Sequence, residues 1–414
     1  MLTALLKLFD IAARSLFVLV VLYALPTAVS GQFGLILTVM GLFAFVCGYE
    51  RYVDIQRNIV GKSEREAVAR FVAAIRFYAM NYLIWFPILS SLLFIWLDVS
   101  IFLLVLVVII AIGEHLSNEF YRMAVVSNRN KTIVFISMCK NMILLGGALA
   151  GSLFFDSIFS LNFVFFVWAL MSIIGLVFSF YIYIDRVGFI SFLSIFRETD
   201  LKFKEQYSVS YTHFRLGLLA VLALQADRLL AGMFLTLEES GEYFRHLFLA
   251  MSAYQAMNVA SYNKILPKVY SNLKVLDVDS ANKLILKERI IYGVGAGAAI
   301  FSIYLMGVFD VFKYLSLEQI SPIYLMLVLA AYLFRGVADF NSMILNGLFQ
   351  EKKVLYSHAI TVCVACVGAS FLASIYGIEG LLYALVLNGV VYLFVSRFYV
   401  NKALAEARAN QIRV

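Results

Sequence analysis

The sequence predicts an all-α polytopic membrane protein with about twelve transmembrane helices in two six-helix halves. Three observations carry this. The 414-residue chain is 63% hydrophobic and 14% charged, with a mean hydropathy of +0.90; that is more apolar surface than a water-soluble interior can hide, so lipid must solvate much of it. The apolar runs are too long for barrel strands and lack two-residue alternation, which leaves the helix as the spanning element. Proline is scarce, at 4 residues, as continuous helix requires.

Windows of about 20 apolar residues set the spans in order. In the first half they fall near 8–29, 33–58, 71–96, 99–126, 132–154 and 158–183. In the second half they fall near 208–235, 242–266, 286–309, 320–348, 354–375 and 379–400. The first run carries Asp10 and Arg14 and leads straight into the second, so no cleavable signal peptide is expected. Cys47, Cys139, Cys363 and Cys366 all lie in apolar runs and are read as small packing residues. Cys363 and Cys366 have CxxC spacing, but "ITVCVACVGAS" has no βαβ pattern around it to support redox or metal chemistry.

The connections alternate in charge. One set is basic, including Arg57, Lys62 and Arg65, then Arg129 and Lys131, then Arg197, Lys202 and Lys204. It continues through Lys268 and Lys274 to Lys352, Lys353 and the tail with Arg408 and Arg413. The other set is short and acidic: Asp98, Asp156, Glu238 with Glu239, and Glu379, with Lys313 its one base, between Asp310 and Glu318. Positive-inside then predicts both termini in the cytoplasm. The net charge of +7 is therefore a topology signal, and no nucleic-acid partner is expected. The connection from Asp185 divides the chain into an N-terminal lobe (1–190), a cytoplasmic linker (191–207) and a C-terminal lobe with a short tail (208–414). "SGQF" at Ser30 and "SGEY" at Ser240 echo one another in what read as outer turns. "NRNKTIV" from Asn128 and "FQEKKVL" from Phe349 echo at inner ends. Equivalent spans run the same way, so the halves are expected to be parallel repeats about an axis along the membrane normal.

Three stretches carry a resemblance to a family: "LPTAVSGQFGLILTVMGLFAF", "QADRLLAGMFLTLEESGEYF" and the run from "LNGLFQEKKVLYSHAITV" through "YGIEGLLYALVLNGVVYLF". Together they resemble the Wzx-type O-antigen and polysaccharide flippases of the MATE/polysaccharide exporter (MOP) superfamily, which also holds MATE drug antiporters and lipid II flippases. The resemblance covers nearly the whole chain. It implies two lobes forming a MATE-like V around a cationic cavity, in the bacterial inner membrane. It also implies an undecaprenyl-pyrophosphate-linked oligosaccharide, an O-antigen or related repeat unit, as the substrate passing from inner to outer leaflet. Other polysaccharide assembly proteins and membrane lipid are expected partners.

Charges inside the spans locate the candidate site, because each costs about 2.5–3.5 kcal/mol at mid-membrane on insertion scales. Twenty-eight of the 33 Lys and Arg residues are read as lying at or near inner ends. Arg215 can snorkel and Lys313 is in an outer connection, which leaves Arg228, Arg245 and Arg335 at depth. These three are expected to converge on one lumen and bind phosphate through bidentate forks, with Tyr332 offering a sugar-stacking face. Asp339, Glu114 and Asp227 are the expected ion-coupling acids, for H+ or Na+. Arg335 and Asp339 share a helix face four residues apart and are also candidates to pair with each other. Aligning spans four and ten places Arg335 opposite Glu114 and Asp339 opposite Asn118. Glu119 with Arg122, and Glu50, Arg51 and Asp54, are read as interfacial; His115 and His246 are read as possible donors or partners.

No enzyme is expected. "GVGAGAA" from Gly293 has no preceding strand, there is no P-loop for direct ATP drive, and no catalytic residue, metal or organic cofactor is predicted. Two alternatives stand beside the flippase: a cation-coupled MATE-type drug antiporter, and a membrane O-antigen polymerase or glycosyltransferase. The first calls for a cavity dominated by acids; the second calls for a large external loop.

Overall fold

The computed structural model describes residues 2–51, 55, 64–126, 130–155, 158–198, 203–275, 277–309 and 320–411. Among them there is no strand, and twelve helices follow one another. They are α1 (Leu2–Ala24), α2 (Thr27–Gly48), α3 (Glu64–Leu97), α4 (Ile101–Val126), α5 (Asn130–Phe154) and α6 (Leu161–Val187). Then come α7 (Phe189–Glu198), α8 (Phe203–Phe234), α9 (Leu237–Lys274), α10 (Val278–Val308), α11 (Pro322–Gly347) and α12 (Glu351–Gln411). α12 is two helical segments meeting at Gly377, whose φ of 57° and ψ of −131° break the helix. Counting those two segments and setting the short α7 aside, the long helices match the twelve expected spans. Nine of the described helices are long and apolar enough to cross a membrane. Ile95 at 81% exposure and Leu83 at 74% show the outward apolar faces that lipid covers. Arg57, Lys62, Arg129, Lys202 and Arg413, along with Asp54, Asp156 and the connection bearing Lys313, lie outside the described residues.

The helix starts correct the expected turns. "SGQF" and "SGEY" lie inside α2 and α9, from the end of the first turn into the second, because the chain turns earlier, at Pro26 and Thr236. Pro26 at φ −52° and ψ 146° caps α2; it lacks an N–H and keeps the preceding residue out of helical geometry. Thr236 opens α9 with a capping box: its hydroxyl accepts from the Glu239 N–H, and Glu239 Oε2 accepts from the Thr236 N–H at 2.8 Å, which satisfies two otherwise orphaned donors. The glycines in these echoes serve close approach. A Cβ on Gly31 would lie 2.0 Å from the Leu237 carbonyl oxygen, and one on Gly241 would lie 1.9 Å from that of Thr27.

The chain forms two compact units. Unit 1 is Met1–Pro26 with Gln32–Val221; unit 2 is Thr27–Gly31 with Leu222–Val414. The division falls within α8, whereas the sequence reading set a linker at 191–207. The early part of α8 bonds to unit 1, since Tyr207 donates to Asn81 Oδ1 and Arg51 Nη1 donates to Ser210 Oγ at 3.4 Å. In unit 1, α1 packs on α5, α4 on α6, and α7 on α3, around Phe71, Phe77, Tyr78 and Phe120. In unit 2, α11 is central, packed by α9, α10 and α12 over Phe340, Met343, Ile344 and Val400. With lipid as solvent, tight van der Waals contact and polar bonds between helices hold such units together.

Candidate substrate and ion site

The site in unit 2 is built on one face of α11, where Tyr332, Arg335, Asp339 and Ser342 recur at helical spacing. Arg335 Nη1 donates to the Ala223 carbonyl of α8 at 2.9 Å, and its guanidinium lies 5.7 Å from the centre of the Tyr392 ring. Asp339 has no ion pair to Arg335. Its Oδ2 accepts from Tyr254 Oη at 2.5 Å and its Oδ1 from Tyr392 Oη at 3.3 Å. Arg228 on α8 is buried; its Nη2 faces Met251 Sδ at 3.0 Å and Tyr332 Oη at 3.4 Å, and its Nε is buried without a partner. Asp227, one residue earlier, turns away and accepts from Tyr243 Oη.

The chemical consequence follows from donor counting. Each guanidinium has five N–H donors in a fixed fork, and here neutral groups take only part of that capacity. Both neighbouring carboxylates are satisfied by tyrosine hydroxyls. The cluster therefore holds two guanidiniums out of direct ion-pair contact with its two carboxylates, and the N–H donors left over are groups that an anion could accept from. Local packing depends on Gly336: Tyr292 fills the space where its Cβ would sit and donates to the Tyr332 carbonyl at 3.4 Å.

A second polar site lies in unit 1. Glu114 Oε1 on α4 accepts from Lys140 Nζ at 2.6 Å, Ser172 Oγ at 3.0 Å and Trp168 Nε1 at 3.1 Å, and Oε2 lies 3.7 Å from Arg14. Asp10 accepts from Lys7, Ser137 and Asn141 at 2.6–2.8 Å. A cavity of about 40 Å³ opens beside these groups.

The sequence-predicted residues are thus distributed over three places. Arg228, Arg335, Asp227, Asp339 and Tyr332 come together in unit 2. Arg245 is buried elsewhere in that unit, donating to Thr27 Oγ1 at 3.2 Å and Ser30 Oγ at 3.4 Å. Glu114 belongs to the unit 1 site, with Asn118 beside it. Tyr332 is 4% exposed and its ring is covered by Tyr254 at 4.9 Å, so the expected stacking face is occupied. Lys140, read as an inner-end base, is 7% exposed and bonded to Glu114; a carboxylate on the neighbouring helix makes its burial tolerable. Glu119 and Arg122 pair as expected, but Glu119 is 2% exposed and also accepts from Tyr78 Oη at 2.8 Å. His115 meets Tyr82 Oη at 2.5 Å. His246 Nε2 accepts the Ser321 N–H at 2.8 Å, a bond at the start of α11. Lys7, Asp10, Lys140, Tyr254 and Tyr392 were missed as site residues; the polar interruption "CKN" at Cys139 was the available signal for one of them.

This is the MATE-like fold. No family model and no curated protein matches the sequence. Among solved structures, the lipid II flippase MurJ in an inward closed conformation superposes with a TM-score of 0.71 at 13% identity, over 99% of this chain and 90% of that one. An inward-facing multidrug resistance MATE family transporter of the MOP superfamily gives 0.68 at 12%, over 98% and 96%. The Vibrio cholerae MATE transporter VcmN in its bent form gives 0.58 at 14%, over 98% and 96%.

Proposed function

We propose that the protein is a flippase that moves an undecaprenyl-pyrophosphate-linked oligosaccharide from the inner to the outer leaflet of a bacterial inner membrane by alternating access. The observation that carries this is the pair Arg228 and Arg335, held by neutral partners with donors to spare. A pyrophosphate offers oxygens that match two guanidinium forks. The fold is one that a lipid flippase uses. Coupling to H+ or Na+ is assigned to Asp339, with Asp227 second. Glu114 is the weakest of the three acids for that role, because Lys140 and Arg14 already face it.

One observation favours a drug antiporter as the second reading: Asp339 and Asp227 sit among Tyr243, Tyr254, Tyr332 and Tyr392, a lining that also suits an organic cation. Vesicles reconstituted with the protein separate the two. A fluorescent polyprenyl-pyrophosphate disaccharide should lose its outer-leaflet protection asymmetry in minutes, while a cationic dye is not exported. Dye export without lipid flipping would reverse the assignment.

A further inference from the structure

We propose that the unit 1 cavity binds a small monovalent anion of halide size. Lys7, Arg14 and Lys140 face only two carboxylates there, Asp10 and Glu114, so one positive charge is in excess. Hydrogen-bond capacity points the same way. Three of the four carboxylate oxygens already accept hydrogen bonds, and the fourth, Glu114 Oε2, faces Arg14. A metal cation would find those oxygens taken, and among the described residues no group of His, Cys, Asp or Glu is arranged to hold one.

Donors, in contrast, are left over. Each ammonium has three N–H donors and the guanidinium five, yet Lys7 and Lys140 each make one hydrogen bond and Arg14 makes only the long contact to Glu114. Ser117 Oγ lines the cavity and is buried without a partner, although buried hydroxyls are normally bonded. A bound anion would satisfy it.

Size and access fit a halide. The volume of about 40 Å³ holds a few water-sized particles at roughly 10–15 Å³ each, which is too tight for a hydrated oxyanion. Lys7 at 35% and Arg14 at 48% side-chain exposure form the mouth, so an ion can exchange without opening the unit. The inference is independent of what the protein transports.

Trp168, bonded to Glu114 beside the cavity, supplies a reporter. Bromide titrated into purified protein carrying Trp85→Phe and Trp96→Phe, so that Trp168 is the remaining one of the three tryptophans, at constant ionic strength with gluconate as the balancing anion, should quench its emission saturably. Chloride, which does not quench, should compete. Arg14→Gln and Ser117→Val should each raise the half-saturating bromide concentration by about tenfold or more, the scale of one charge-assisted hydrogen bond. The wild-type protein should also melt higher in chloride than in gluconate, and Arg14→Gln should lose that difference while its melting temperature in gluconate stays close to wild type. Linear, non-saturating quenching equal in all variants would overturn the proposal. So would a response that follows exchange of sodium for choline instead of the anion.

Discussion

Arg335 shows how a buried cation is kept available. Its bond to the Ala223 carbonyl and its place over Tyr392 hold the guanidinium without a direct ion pair, leaving N–H donors over. Arg335→Ala should abolish surface polysaccharide while membrane levels of the protein stay near normal, and Arg335→Lys should rescue only in part, because a point charge replaces a planar fork. Surface polysaccharide staining beside a protein blot reads both; full activity in the Ala variant would leave the arginine a structural role only. In unit 1, Lys140→Met should destabilise by about 3 kcal/mol, since it strips a partner from a buried carboxylate, and Glu114→Gln in the same background should recover most of the loss in a melting assay. Arg335 and Asp339 were legible because they interrupt an apolar run. Tyr254 and Tyr392 were not, since a tyrosine in a span reads equally as packing or belt, and only the fold brings their hydroxyls to Asp339. Lys140 was misplaced for a related reason: its carboxylate lies 26 residues away in sequence.

At the scale of the element, capping and close approach set where helices begin. The Thr236 capping box predicts that Thr236→Ala costs about 1 kcal/mol, readable as faster hydrogen exchange in the first turn of α9. Gly241→Val should cost about 2 kcal/mol or more, because its Cβ would meet a backbone carbonyl that cannot rotate away. At the start of α10, Asp277 accepts the Ser280 N–H at 3.1 Å, and this bonding holds its carboxyl below the usual aspartate range. A lowered folded value means the cap is fully stabilising above the ordinary aspartate pKa and weakens as pH falls through the folded one. Exchange in the first turn of α10 should therefore speed up in acid; Asp277→Asn should keep the cap and remove the pH dependence. The spans themselves were legible from apolar run length. Their limits differ from the expected ones where the "SGQF" and "SGEY" echoes read as turns. Pro26 and Thr236 make the turns, while Gly31 and Gly241 let backbones meet.

For the whole molecule, the charge alternation and the fold make separate claims. The described helix ends put Lys352 and Lys353 on one side and Glu238, Glu239 and Glu379 on the other. A cysteine at Glu239 should label with an impermeant thiol reagent in intact cells, and one at Lys352 should not; labelling at Lys352 alone would invert the topology. The all-helical architecture of the described residues was readable from composition and periodicity. The separation of Glu114 and Arg245 from the Arg228, Arg335 and Asp339 cluster was not, because helix rotation within a lobe is set by packing that no single span encodes. The most direct test of the central claim is equilibrium binding of a short-chain polyprenyl-pyrophosphate disaccharide to the purified protein, compared with the same glycan on a neutral polyprenyl alcohol. The pyrophosphate form should bind at least about tenfold more tightly, as two charge-assisted contacts require, and Arg228→Ala with Arg335→Ala should erase the difference. Equal affinity for the charged and neutral lipids in the wild-type protein would contradict anion recognition at this cluster.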